Sequence, residues 1–254
     1  MITRRTAVAA LAGASAAFGG KCRVEKLWKS PDGNPNALEA TPEGLWVGEQ
    51  VTDRAYLLDW KTGKVLHKVD TESSNTSGIA YGGGFIWMGA NGKATFRKPK
   101  PTDATSGEVI KVDPKTGHTV ARYPNPDGGG LHGLLYDKGT IWMTCFKWQV
   151  LAQVDANTFE IKRKVPVALG RAHGLALDGD AIWCVFSNDF VIQKIALADG
   201  KVVDEIKLNK ETDPDPHGMD MYKGEMYYCD AGIAPGPKFT ELPSSGYISK
   251  IIRL

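Results

Sequence analysis

Leu131-His132-Gly133-Leu134-Leu135-Tyr136-Asp137-Lys138-Gly139-Thr140-Ile141-Trp142 is a short apolar run, a glycine-containing turn and a second run that opens on Ile-Trp. Such a stretch reads as two strands joined by a tight turn. The text recurs. His173-Gly174-Leu175 reaches Ile182-Trp183 at the same offset, and His217-Gly218-Met219 reaches Met226-Tyr227. Counting back from Ile86-Trp87 lands on Ser77-Gly78-Ile79, and from Leu45-Trp46 on Asn36-Ala37-Leu38. The copies are therefore anchored at Asn36, Ser77, His132, His173 and His217. A repeat of this length outranks any local propensity in deciding the fold.

Each copy continues alike. A third strand ends in an acidic or small residue, a turn follows, and a fourth strand closes the unit. Examples are Glu108 to Asp113, the turn Pro114-Lys115-Thr116-Gly117, then Thr119 to Tyr123. Four alternating strands every forty-odd residues predict β-propeller blades. The last copy lacks a fourth strand, and Arg23 to Lys29 ahead of the first copy reads like one. Pairing the two closes the ring and removes exposed edges. The expectation is an all-β, five-bladed propeller of four antiparallel strands per blade, forming a single domain over 23–254. Trp46, Trp87, Trp142, Trp183 and Tyr227, with Leu38, Ile79, Leu134, Leu175 and Met219, are its expected core.

The first residues differ from this pattern. A basic start with Arg4-Arg5, an alanine-rich apolar run and Ala14-Ser15-Ala16 read as an export signal over 1–20, too short to span a membrane. The arginine pair resembles a twin-arginine signal, which implies a periplasmic or secreted protein. Hydrophobic residues at 42% and charged residues at 24% fit a soluble globular chain. A net charge of only +2 gives no reason to expect nucleic acid as a partner. A small molecule and a monomeric state are expected instead. Four cysteines without a CxxC pair read as buried thiols rather than a zinc framework.

Propeller topology sorts the loops onto two faces. First-to-second and third-to-fourth turns are short here. The opposite face carries every irregularity: the insertion from Asn91 to Ser106, Asp127-Gly128-Gly129-Gly130, Asp213-Pro214-Asp215-Pro216, and the long loop from Ala231 to Ser245. Irregular loops on a regular scaffold are where binding residues concentrate. The anchor column falls on this face at the mouth of the central channel, and it holds three of the chain's five histidines. His132, His173 and His217 could hold a divalent transition metal, which neutral imidazoles favour. Alternatively one of the three is a general base and the others bind substrate. Asn36, Ser77, Arg171 and Cys145 are then expected to touch the substrate. The competing reading is a repeat consensus in which the histidines bond neighbouring backbone.

His-Gly-Leu followed by Ile-Trp resembles the blades of virginiamycin B lyase (streptogramin lyase) and of exported propellers with YVTN-type repeats. Those lyases are seven-bladed and metal-dependent and use a histidine base with a nearby acid, so the resemblance implies a metal-assisted lyase or hydrolase with His217 as the base and Asp230 or Glu49 as its acid. Phe146-Lys147-Trp148 followed by Val154 to Phe159 is similar to a blade of plant-type glutaminyl cyclases, which are five-bladed. It implies acyl transfer, although their first-strand acidic residues are histidines here. A propeller that binds a ligand or protein without catalysis is the remaining class.

Overall fold

The computed structural model describes residues 20–233 and 246–254. Nearly all of the expected export signal, and most of the loop from Ala231 to Ser245, lie outside the described residues. The strand β1 (Cys22–Lys29) comes first. Blade 1 follows as β2 (Pro35–Thr41), β3 (Gly44–Glu49), β4 (Arg54–Leu58) and β5 (Val65–Asp70). Blade 2 is β6 (Thr76–Gly82), β7 (Phe85–Ala90), β8 (Glu108–Val112) and β9 (Thr119–Pro124). Blade 3 is β10 (Leu134–Asp137), β11 (Thr140–Cys145), β12 (Val150–Asp155) and β13 (Ile161–Pro166). Blade 4 is β14 (Ala172–Asp178), β15 (Ala181–Phe186), β16 (Val191–Ala196) and β17 (Val202–Lys207). Blade 5 takes β18 (Met219–Tyr222), β19 (Glu225–Cys229) and β20 (Tyr247–Arg253) from the end of the chain and β1 from its start. The architecture is the expected five-bladed propeller.

Closure follows the expected seam. β1 runs antiparallel to β20 from Cys22 opposite Arg253 to Lys29 opposite Tyr247. Its Trp28 lies over the β4–β5 turn, where a Cβ on Gly63 would stand 2.2 Å from the Trp28 Cγ. The closing strand is thus keyed to blade 1 as well as paired within blade 5. Between the blades, Trp87, Trp142 and Trp183 are fully buried, and Trp46 and Tyr227 nearly so. Burying roughly 150–250 Å² each, these rings supply much of the apolar free energy holding neighbouring sheets together.

The glycine after each histidine has a steric cause. A Cβ at Gly133 would come within 2.0 Å of the His173 carbonyl oxygen, and one at Gly174 within 2.1 Å of the Met219 nitrogen. The innermost strands therefore touch backbone to backbone around the axis, and the channel between them has no room for a water molecule. The anchors also sit at irregular points. β2, β6 and β14 shift register against their partners between Pro35 and Ala37, Thr76 and Gly78, and Ala172 and Leu175. An extra residue in a ladder bends the strand and re-aims a side chain. The anchors consequently turn inward over the channel.

Candidate functional site at the histidine mouth

Blades 3, 4 and 5 bring their histidines into one cluster. His132 Nδ1 lies 3.0 Å from His173 Nε2, and His173 Nε2 lies 3.2 Å from His217 Nδ1. The rings meet edge to face, with centroids 4.6 and 4.7 Å apart. His217 Nδ1 is 2.7 Å from Asn36 Oδ1, and Asn36 Nδ2 donates to Ser77 Oγ at 2.9 Å and to the Thr76 carbonyl at 3.1 Å. All five anchors thus form one chain running through blades 3, 4, 5, 1 and 2. Among the described residues no hydrogen bond completes the circuit from Ser77 to His132.

The expected solvent-facing mouth is corrected by burial. His173 is wholly buried, and His132 and His217 are only 8% exposed. Phe146 covers His132, stacked at 4.5 Å. Thr144 Oγ1 accepts the backbone N–H groups of His132 and Gly133 at 3.1 and 3.0 Å, which fixes the approach to the anchor. Burial pushes the His132 pKa down to about 3 and that of His173 well below the usual imidazole range, and the Arg171 charge adds to both. Both rings are therefore neutral at ordinary pH, the form that binds metals.

His217 is held differently. Its Nδ1 faces Asn36 Oδ1, and its Nε2 lies 3.3 Å from Asp215 Oδ2. Both partners are acceptors, because the Asn36 amide nitrogen is committed to Ser77 and Thr76. A neutral imidazole has one proton and can satisfy only one of them. The geometry thus leaves one acceptor facing a ring nitrogen unanswered, and a cation against the ring would answer it. Asp230 is also within electrostatic reach of His217. Burial raises its carboxyl pKa, while its Oδ1 accepts the Gly232 N–H at 2.7 Å.

Other expected site residues lie elsewhere. Glu49 is fully buried and accepts from Ser30 Oγ, the Asn34 N–H at 2.8 Å and the Asp32 N–H at 3.4 Å. It holds the 30–34 loop that leads from the closing strand into blade 1, and it makes no hydrogen bond to a histidine. Burial pushes its pKa up to about 7. Cys145 follows Thr144 in β11, so strand alternation turns its thiol away from the mouth. It packs in the core with Leu131 and Met143, 3.6 Å from Asn125 Oδ1, with its pKa raised to about 12. Asn36 and Ser77 join the cluster as links in the chain, buried among protein atoms. Arg171 stays exposed at the rim, donating from Nη1 to Asn188 Oδ1 at 3.0 Å. Asp215, Thr144 and Phe146 carry as much of the geometry as the expected residues, and only the short Asp215–His217 spacing hinted at them.

Among the described residues no group of three or more His, Cys, Asp or Glu side chains stands as a formed cation cage. The histidines meet pairwise, with His173 in the middle. No helix there is long and apolar enough to cross a membrane.

The sequence matches no described protein family and no curated protein. In three dimensions the chain is similar to Myxococcus xanthus glutaminyl cyclase, at 13% identity and a TM-score of 0.67, over 92% of this chain and 97% of that one. Looser likenesses are to the Cps50 (Swd1) β-propeller domain of Myceliophteria thermophila, at 12% identity and a TM-score of 0.47, and to the designed protein Ika8, at 11% and 0.44. The first covers 83% of this chain and 66% of that one, the second 86% and 57%. At 13% identity what the chain shares with the cyclase is the propeller fold.

Proposed function

We propose that this protein is an exported enzyme that processes a small molecule at its histidine mouth by metal-assisted lyase or hydrolase chemistry. His132 Nδ1, His173 Nε2 and His217 Nδ1 are the atoms that would hold a divalent transition metal. The observation that carries the reading is the conflict at His217, whose two ring nitrogens both face acceptors. A cation on Nδ1 leaves Nε2–H free to donate to Asp215, the carboxylate–histidine pairing that supports metal ligands generally. The ring nitrogens, 3.0 and 3.2 Å apart, are near the roughly 3.3 Å separation of nitrogens bound 2.0–2.1 Å from one tetrahedral ion. When bound, the metal would supply Lewis-acid polarisation. The chain's own groups then have separate tasks. Asp215 orients His217, Asp230 takes up or returns a proton, Arg171 binds at the rim, and Phe146 keeps water from His132.

The test is metal analysis of protein purified without a polyhistidine tag, extended to His132→Ala, His173→Ala and His217→Ala, singly and in pairs. Three ligands to one ion predict that any single change removes most of the metal and that a second change adds little. Chelator should lower the wild-type melting temperature and leave the variants unchanged. Wild type that never holds stoichiometric metal, or single variants that retain it fully, would refute the metal site. The cluster would then be a hydrogen-bonded chain of side chains, and the protein a binding propeller.

A second reading, acyl transfer of the glutaminyl cyclase kind, is favoured by the fold likeness and the Phe146-Lys147-Trp148 blade text. Cyclisation of an N-terminal glutaminyl test peptide that persists in the presence of chelator would select it over the first.

A further inference from the structure

The blade-4 edge of the mouth carries features that say what Arg171 would bind at the rim. Arg171 immediately precedes β14. Continuing the register of Ala172 opposite Phe186 sets it across from Ser187. Its backbone is left-handed, with φ of 53°. That conformation strains a residue with a Cβ, and Arg171 shares it with seven other non-glycine residues among those described. Arg54, Arg97, Arg122 and Arg253 all pair with carboxylates. Arg171 has no ion-pair partner among the described residues, and only its Nη1 makes a hydrogen bond there. Lys210, likewise without an ion pair among those residues, donates to the Asn188 carbonyl at 3.1 Å, so one asparagine gathers two uncompensated cations. Ser187, next to Asn188 in the chain, is 98% buried, and its Oγ has no hydrogen-bond partner among the described residues. The Arg171 charge reaches His132 and His173, and Phe146 lies flat on His132.

We propose that this edge is an anion subsite, and that the molecule taken up at the mouth carries a carboxylate held by Arg171 and Ser187 with an apolar group against Phe146. The inference rests on the histidine mouth being the working site. A guanidinium presents parallel N–H donors that match a planar carboxylate, and the free Nε and Nη2 supply them. The hydroxyl of Ser187 adds a neutral donor, and Lys210 adds charge without competing for the fork.

The experiment is calorimetric titration of the full chain with benzoate and with benzamide, its neutral match in shape. Each is run on metal-loaded and on chelator-treated protein. Benzoate should bind at least tenfold more tightly than benzamide. Arg171→Gly and Arg171→Gln should each lose that preference, Ser187→Ala should weaken benzoate several-fold, and Arg163→Gln on the outer strand of blade 3 should change nothing. Arg171→Gly should at the same time melt higher than wild type, because glycine relieves the left-handed strain. A benzoate preference that survives chelator and depends on Arg171 keeps the subsite even if the metal reading fails. Benzoate affinity unchanged in both Arg171 variants overturns the subsite and leaves the metal reading intact. Equal affinity for the two probes, or no benzoate binding by wild type, overturns it as well.

Discussion

Trp142 and Trp183 occupy the same position in neighbouring blades, and both are about 1% exposed. Their indole nitrogens differ. Trp183 Nε1 donates to Asp178 Oδ2 at 3.0 Å, and Lys194 Nζ reaches the same oxygen at 2.7 Å. Trp142 Nε1 is buried and has no partner among the described residues. Replacing each by phenylalanine removes a similar volume, so the cavity cost, about 1–3 kcal/mol, is common to both. The polar contributions have opposite signs. Trp142→Phe deletes an unsatisfied donor whose burial costs about 1–3 kcal/mol, whereas Trp183→Phe deletes a hydrogen bond to a charged group worth about 1.5–3 kcal/mol. Asp178 is partly exposed and keeps Lys194, which places the second figure at its lower end. Trp183→Phe should therefore be the more destabilising by at least about 2 kcal/mol, a factor of roughly 30 in the folded-to-unfolded ratio. Urea denaturation followed by far-ultraviolet circular dichroism measures this directly, with equal m-values as the check on a common unfolded state. Equal losses, or a larger loss at Trp142, would refute the assignment of the two indole environments.

Removing residues 1–29 should leave β20 as an unpaired edge and uncover Gly63 and its neighbours, so the truncated protein should aggregate or lose cooperative unfolding, while removal of 1–19 should leave the melting temperature unchanged. A soluble, cooperatively melting protein without β1 would contradict the closure. Burial raises the Glu49 carboxyl from 4.5 to about 7. Because the folded-state value is the higher one, its contribution is fully present below pH 4.5 and is lost as pH rises through 7, amounting to roughly 3 kcal/mol. Burial raises the carboxyls of Glu39 and Asp220 in the same direction. Wild type should thus lose stability between pH 5 and 8, and Glu49→Gln should flatten that slope; an unchanged slope would show that Glu49 is ionised throughout.

The repeat offset from anchor to Trp was enough to read the blade count, the closing strand and the aromatic column. Those features depend on period-two alternation and on fixed spacing, which one sequence displays fully. The anchor column was legible as a place but not as an environment. His173 is sealed because register shifts next to the anchors turn them over the axis, and a bulge leaves no mark in composition. Cys145 was assigned to the mouth by its distance from Trp142, yet one step of alternation gives that place to Thr144. Glu49 sits at the equivalent offset in blade 1, and there the 30–34 loop, which follows the closing strand, folds back to claim its carboxyl. Beyond the short Asp215–His217 spacing, Asp215 gains its meaning from its contact with His217 and Ser187 from the hydroxyl it leaves unpaired, and both are properties of three-dimensional contacts.

The glycine collar beneath the histidines has a kinetic consequence. With the inner strands in backbone contact, the axis is plugged, and the two faces of the ring do not exchange solutes through it. Under the proposed function, substrate and product would share one doorway at the histidines, and inhibition by product should be purely competitive. A side chain at Gly133, Gly174 or Gly218 would collide with the backbone of the next blade, so these glycines set how tightly the five blades close.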